Sequence, residues 1–180
     1  MRKKRPTDKD VWICIDPGVA NTGIAVLSPG PPLRLLETKV LRSSKDLGWV
    51  DRCYQIVRLF NQNFLYPLTY MAPGTLGAVG HPRTVTIYVE MPNVWGGSGR
   101  GYAAAASGDI VHLSALVGMI ALQCRKSCAM FVEVGVGEWK GSLPKEVVVK
   151  RVKRAFGLTK IPNHAADAAG IGLWAAKGRV

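Results

Sequence analysis

A chain of 180 residues with 48% hydrophobic content can bury one core of ordinary size, and it is short for a multidomain protein. Lys and Arg number 24 against 12 Asp and Glu, a formal charge of +12, so the composition favours a polyanionic partner. Nucleic acid is the first such partner; an anionic membrane is the weaker one, because no basic amphipathic helix with an aromatic face stands out.

The start, Met1-Arg2-Lys3-Lys4-Arg5, runs into polar residues and Pro6. Residues 1–10 therefore read as a basic flexible tail and not a signal peptide, ahead of a single domain over 11–180. Val11 to Asp16 is a short apolar run ending in Asp-Pro-Gly, a buried strand leaving through a turn. Thr22 to Leu27 and Leu33 to Leu41 read as the next two strands, an antiparallel opening. Asp46 to Phe64 has near-helical apolar spacing, and a Gly/Pro-rich linker follows from Tyr66 to Arg83.

Thr84 to Glu90 is a strand of β-branched and aromatic residues, and Met91 to Tyr102, with four glycines, reads as a mobile loop. Ser107 is a suitable N-cap for a helix to Cys124. That stretch is interrupted by Asp109, His112 and Gln123, so it reads as a buried helix and not a membrane span. Met130 to Val134 is a further strand. Ser142 and Pro144 open a helix to Phe156, Pro being tolerated in a first turn, and Asn163 caps a last helix to about Ala176. Strands first, then strands alternating with helices, indicate an α/β sheet covered by helices.

Of four cysteines, Cys14 lies in an apolar run and reads as a small buried hydrophobe. Cys124 and Cys128 have no second ligand pair, which argues against zinc. A reducing cytoplasm is the expected location.

Most acidic residues stand among polar neighbours, but three do not. Asp16 and Glu90 end apolar strands, and Asp167 lies in Ala165-Ala166-Asp167-Ala168-Ala169-Gly170. Carboxylates in such surroundings are costly unless paired or bound to a cation. Each could pair with a nearby Lys or Arg; the three together point to hard-oxygen ligation of Mg²⁺ or Mn²⁺. His164, three residues before Asp167, projects from the same helical face. It reads as a metal or water ligand, or else as a polar residue of the first helical turn.

Asp16-Pro-Gly-Val-Ala-Asn-Thr-Gly resembles the opening Asp-x-Gly-x-x-x-Thr-Gly of RuvC-type Holliday junction resolvases. Glu90-Met91-Pro92 is similar to their second acidic strand end, and His164-Ala-Ala-Asp167-Ala to their closing motif. Trp139-Lys140-Gly141 through Lys145, with the basic helix after it, is similar to their DNA-facing lysine segment. The resemblance spans Val11 to Ala176 in order, and the compact chain is most similar to phage-encoded relatives. Where many members carry Asp this chain has His164, a residue that also occurs there in the family. The region after Glu90 lacks a close match to the family's junction-probing aromatic; Trp95 and Tyr102 are the aromatics that could take that place.

The resemblance implies an RNase H-like mixed five-stranded sheet flanked by helices, and an endodeoxyribonuclease that cuts four-way junctions in recombination or repair. It implies two Mg²⁺ or Mn²⁺ ions: Asp16 bridging, Glu90 on the water-activating ion, His164 and Asp167 on the other. Lys140 and Lys145 would meet phosphates near the cut, Arg151 and Arg154 would extend the backbone-binding surface, and Arg100, Trp95 and Tyr102 would also face DNA. It further implies a homodimer through helix 107–124, where Ser114, Gly118 and Ala121 permit close helix contact. Competing readings are a broader branched-DNA or flap nuclease, a non-catalytic DNA-binding protein on the same fold, and an actin-like ATPase, for which the chain is too short.

Overall fold

Alternation along the first strand sets the architecture. In β1 (Val11–Asp16), Val11, Ile13 and Ile15 belong to one buried cluster, and Trp12 and Cys14 to another, as the two-residue period of a strand requires. A strand apolar on both faces has to be covered on both. The computed structural model describes residues 10–69, 84–92 and 108–177, and in it β1 is the middle of a mixed five-stranded sheet. β2 (Asn21–Ser28) pairs antiparallel with β1, and β3 (Arg34–Arg42) antiparallel with β2. β4 (Val85–Met91) pairs parallel with β1 on its other side, and β5 (Met130–Gly135) parallel with β4, giving the order β3-β2-β1-β4-β5.

One face is closed by α1 (Trp49–Phe60), by the π-helical turn Asn61–Leu65, and by α3 (Asp109–Lys126); α2 is the short helix Tyr66–Thr69. Ile56, Phe60, Phe64, Leu116 and Ile120 pack there on Ile13, Ile24 and Ile87. The other face is closed by α4 (Val136–Trp139), α5 (Lys145–Phe156) and α6 (Asn163–Ala176), whose Trp139, Val148, Val152 and Ile171 pack with Trp12, Cys14 and Leu27. The small residues of α6 let it lie close to the strands. A Cβ at Gly172 would come within 2.7 Å of Leu27, and one at Gly23 would overlap the His164 carbonyl.

Several boundaries differ from the sequence expectation. The helix expected over 46–64 starts at Trp49, because Asp46 is held in a turn by Ser44, whose Oγ accepts its N–H at 3.3 Å. Residues expected to open a linker at Tyr66 instead continue as helix to Thr69, anchored by the buried Phe64 and Leu65; residues 70–83 lie outside the described residues. α3 starts after Gly108, whose left-handed φ of 77° places it at the N-cap, and runs to Lys126; Ser107 lies outside the described residues. α6 takes the extended Pro162 as its N-cap, so Asn163 is its first helical residue and not its cap. Pro144 likewise precedes α5 as its N-cap. Among the described residues no helix is long and apolar enough to cross a membrane. Cys14 is fully buried, and burial pushes its thiol far up, consistent with a small hydrophobe.

Candidate active site

The strand period that builds the core also aims the acids. Asp16 has the parity of Trp12 and Cys14, and Glu90 that of Thr86 and Tyr88, so both point to the α6 side of the sheet. Ile15 pairs with Val89 in the parallel β1–β4 ladder; one step further, Asp16 and Glu90 are neighbours at the ends of adjacent strands. The turn after Asp16 is pinned by Thr22, whose hydroxyl accepts the Gly18 N–H at 3.2 Å and donates to the Gly18 carbonyl at 2.8 Å. Gly23 then admits the start of α6, which brings His164 and Asp167 over the strand ends.

Each of the four candidate ligands has a side-chain partner. His164 Nδ1 lies 2.8 Å from Asp16 Oδ2. The Trp139 indole N–H donates to Glu90 Oε2 at 2.8 Å. Lys145 Nζ lies 3.3 Å from Asp167 Oδ2, and Lys140 Nζ 3.8 Å from Oδ1. Asp167 is 5% exposed, and its Oδ1 has no hydrogen-bond partner among the described residues. The pairing with Lys that the sequence left open as a competing reading therefore holds for Asp167, while Oδ1 remains unsatisfied.

Electrostatics mark the three carboxylates as one group. Burial pushes Glu90 up to about 7, and nearby Asp16 and Asp167 push in the same direction. Burial also raises Asp16, against the hydrogen bond from His164, with Asp167 again adding to the rise. His164 is raised chiefly by its hydrogen bond to Asp16. The Asp16–His164 pair thus holds a proton more firmly than the separate side chains would. Among the described residues no set of three or more His, Cys, Asp and Glu is arranged to hold one metal ion; the acids are turned to Lys, His and Trp donors instead. The group nonetheless suits a cation: hard oxygens, mutual repulsion, and an orphaned buried oxygen on Asp167 are the features a divalent ion would relieve.

No known family model matches the sequence, and no curated protein matches it. Solved structures match its fold. RuvC from Thermus thermophilus, in complex with a Holliday junction substrate, aligns with a TM-score of 0.66 at 22% identity, over 94% of this chain and 95% of that one. A second structure of Thermus thermophilus RuvC gives 0.63 at 21% identity over the same shares of 94% and 95%. The fold is that of RuvC. The yeast mitochondrial Holliday junction resolvase Ydc2 shares it at a TM-score of 0.56 and 14% identity, over 98% of this chain and 84% of that one.

On this RuvC fold the expected basic residues separate. Lys140 and Lys145 reach the acidic cluster. Arg151 and Arg154 do not: they line a groove of about 680 Å³ on the far side of α5, with Trp139, Leu173 and Trp174. A smaller cleft of about 350 Å³ opens beside Lys145 and Asn163 and is lined by Lys150 and Lys153, which the sequence reading missed. Lys153 recurs from Lys145 at helical spacing through position 149, and Lys150 stands one turn before Lys153, which is the sequence signal for this side of the helix. Trp139 was noted only within its motif, and its bond to Glu90 had no sequence signal. Arg100, Trp95 and Tyr102 lie outside the described residues.

Proposed function

We propose that the protein is a divalent-metal-dependent endonuclease that hydrolyses DNA phosphodiesters at four-way junctions. The observation that supports it is the convergence of Asp16, Glu90 and Asp167 at the strand ends of a RuvC fold, with Lys140 and Lys145 beside them. Asp16, Glu90, Asp167 and His164 would hold Mg²⁺ or Mn²⁺. Two such ions, when bound, supply an activated water and stabilise the leaving oxygen.

The chain's own residues do the rest. Lys140 and Lys145 neutralise Asp167 in the absence of other cations. A cation on Asp167 would repel both ammonium groups and leave them to a phosphate instead. Neutral His164 has one lone-pair nitrogen: Nε2 while Nδ1–H is held by Asp16, and Nδ1 in the other tautomer once a cation takes Asp16. Lys150 and Lys153 continue the basic surface away from the cut, giving backbone affinity without sequence readout. Arg151 and Arg154, on the other side of α5, would serve a more distant arm of the DNA.

A second copy of the chain completes the reading. On α3 the exposed positions Val111, Ser114, Gly118 and Leu122 form one stripe of small or apolar residues, and Val50 and Tyr54 of α1 are also exposed. A two-fold dimer through this stripe would bury that surface and offer two sites to a two-fold substrate. Labelled four-way junction, flap and linear duplex should be cut side by side, with and without Mg²⁺. Preferential, symmetric nicking of the junction supports the reading; equal cutting of the flap reduces it to a general branched-DNA nuclease, and no cutting of any substrate refutes it.

A further inference from the structure

Trp139 belongs to two parts of the molecule at once. Its ring is 9% exposed and packs in the α4–α6 core, where a Cβ on Gly170 would come within 2.6 Å of Cζ3. Gly170 lies one helical turn beyond Asp167 on α6. Its indole N–H donates to Glu90 Oε2 at 2.8 Å, and Lys140 Nζ stands 5.6 Å from its ring centroid. The short helix that carries it is fixed by Glu138, whose Oε2 accepts the Gly135 N–H at 3.1 Å. Gly135 in turn pairs with Met91, next to Glu90. The indole is thus held from both sides, by the sheet end through α4 and by α6 through Gly170.

We infer that Trp139 is a positioning residue that fixes one oxygen of Glu90 and leaves the other to a divalent cation. This rests on the metal-site reading above. A glutamate has three side-chain torsions, and freezing them costs entropy at the moment of binding. A rigid, buried donor meets that cost during folding. Indole N–H is a donor only, so it cannot compete for the cation as an acceptor side chain would. Its position on the core also ties Glu90 to the helix carrying Asp167, so the spacing of the two carboxylates is set by packing. Outer partners of this kind change metal affinity by about 10–100-fold when removed.

The test uses the full chain without DNA. Mn²⁺ binding should be measured by calorimetry and by the electron-spin signal of free Mn²⁺ for wild type, Trp139→Phe, Glu90→Gln and the double variant. Trp139→Phe keeps a ring against Gly170 and removes the N–H. Mn²⁺ affinity should fall at least about 10-fold in Trp139→Phe, but change little when the same substitution is made on Glu90→Gln. Unchanged affinity, or the same loss on both backgrounds, would show that Trp139 only packs. Should Trp139→Phe fail to fold, the indole N–H resonances of ¹⁵N-labelled wild type decide. One of them should shift in Glu90→Gln and again when Mg²⁺ is added to wild type, and a set of resonances indifferent to Glu90→Gln overturns the inference. A wild type that binds no Mn²⁺ counts against the metal site itself, while the Glu90→Gln shift still reports on the indole contact.

Discussion

Asp16 and Glu90 stand side by side because the Ile15–Val89 register of two parallel strands continues by one residue, and the strand period turns both carboxylates to the same face. Burial disfavours both ionised forms, the charge of Asp16 adding to the rise of Glu90 and that of Asp167 to the rise of Asp16. The amides Asp16→Asn and Glu90→Gln keep the shapes and delete that repulsion. Cleavage should fall by on the order of 1000-fold, equivalent to about 4 kcal/mol of transition-state stabilisation. Thermal unfolding of the metal-free protein should occur at higher temperature in Glu90→Gln, since a charge buried beside Asp16 is removed. Near-normal cutting by either amide would remove the metal assignment.

Burial of Glu90, with the repulsion from Asp16 added to it, fixes the sign of a pH effect. A carboxyl raised in the folded state gives stability that is complete below its unfolded value and is lost as pH rises through the folded one. For Glu90 the window runs from its ordinary 4.5 to about 7. His164, raised mainly by its bond to Asp16, has the same sign, its contribution fading as pH passes its folded value. In chelator, Tm should therefore decline between about pH 5 and 8, and Glu90→Gln should flatten the decline. Saturating Mn²⁺ should reverse it, because cation binding displaces the protons. A chelated wild type whose Tm rises across this range would contradict the electrostatic account.

Much of this site was legible from residue order alone. A carboxylate ending an apolar strand is conspicuous, which singles out Asp16 and Glu90, and a carboxylate among small apolar residues singles out Asp167. The strand limits agree with the sequence expectation to within one or two residues, most plainly for β1, which is buried on both faces and reads as a continuous apolar run. Helix caps were harder: Asn163 looks like a cap, but the extended Pro162 occupies that position, and only backbone torsions decide between them. The pairing of Asp167 with Lys140 and Lys145, and of Glu90 with Trp139, depends on how α4 and α6 dock. Periodicity within each segment carries no record of that docking. The two sides of α5 are separable by helical spacing, which sets Lys145 and Lys153 on one side and Arg151 and Arg154 on the other.

Gly118 offers a clean separation of folding from association. It is exposed on α3, and an added Cβ would meet nothing within 4 Å. Within one chain, Gly118→Ala should be neutral or stabilising by about 0.5–1 kcal/mol. Gly118→Leu should leave the monomer folded but separate two helices packed through small residues. Sedimentation should then show a wild-type dimer and a Gly118→Leu monomer with unchanged circular dichroism. A wild type that sediments as a monomer at micromolar concentration would refute the dimer.

His164 can be tested through a ratio. As a ligand it must be neutral, and an unperturbed His titrates near 6.5 against about 3.9 for Asp; its bond to Asp16 raises it further. Wild-type activity should fall on acidification as His164 takes up its proton, and His164→Asp should stay active with its acid limb displaced downward. Deprotonation of the attacking water affects both enzymes alike, so the ratio of their rates across about pH 5 to 8 isolates the side chain. A flat ratio, or full activity in His164→Ala, would make His164 a helix-start residue only.

The two sides of α5 make different predictions about salt. Lys150 and Lys153 line the cleft that adjoins Lys145, whose Nζ lies 3.3 Å from Asp167. Phosphates flanking the cut would lie along that cleft. Arg151 and Arg154 line the opposite groove, with Trp139 and Trp174. Each phosphate contact contributes about one unit to the slope of log affinity against log salt. On a junction with short arms, Lys150→Ala plus Lys153→Ala should make the slope shallower by about two, while Arg151→Ala plus Arg154→Ala should leave it nearly unchanged. Lengthening the arms should bring the arginine pair into play, because only then does DNA extend past the end of the lysine cleft. If the arginine pair flattens the slope more than the lysine pair on the short-armed junction, DNA crosses α5 on the other side and the proposed track is wrong.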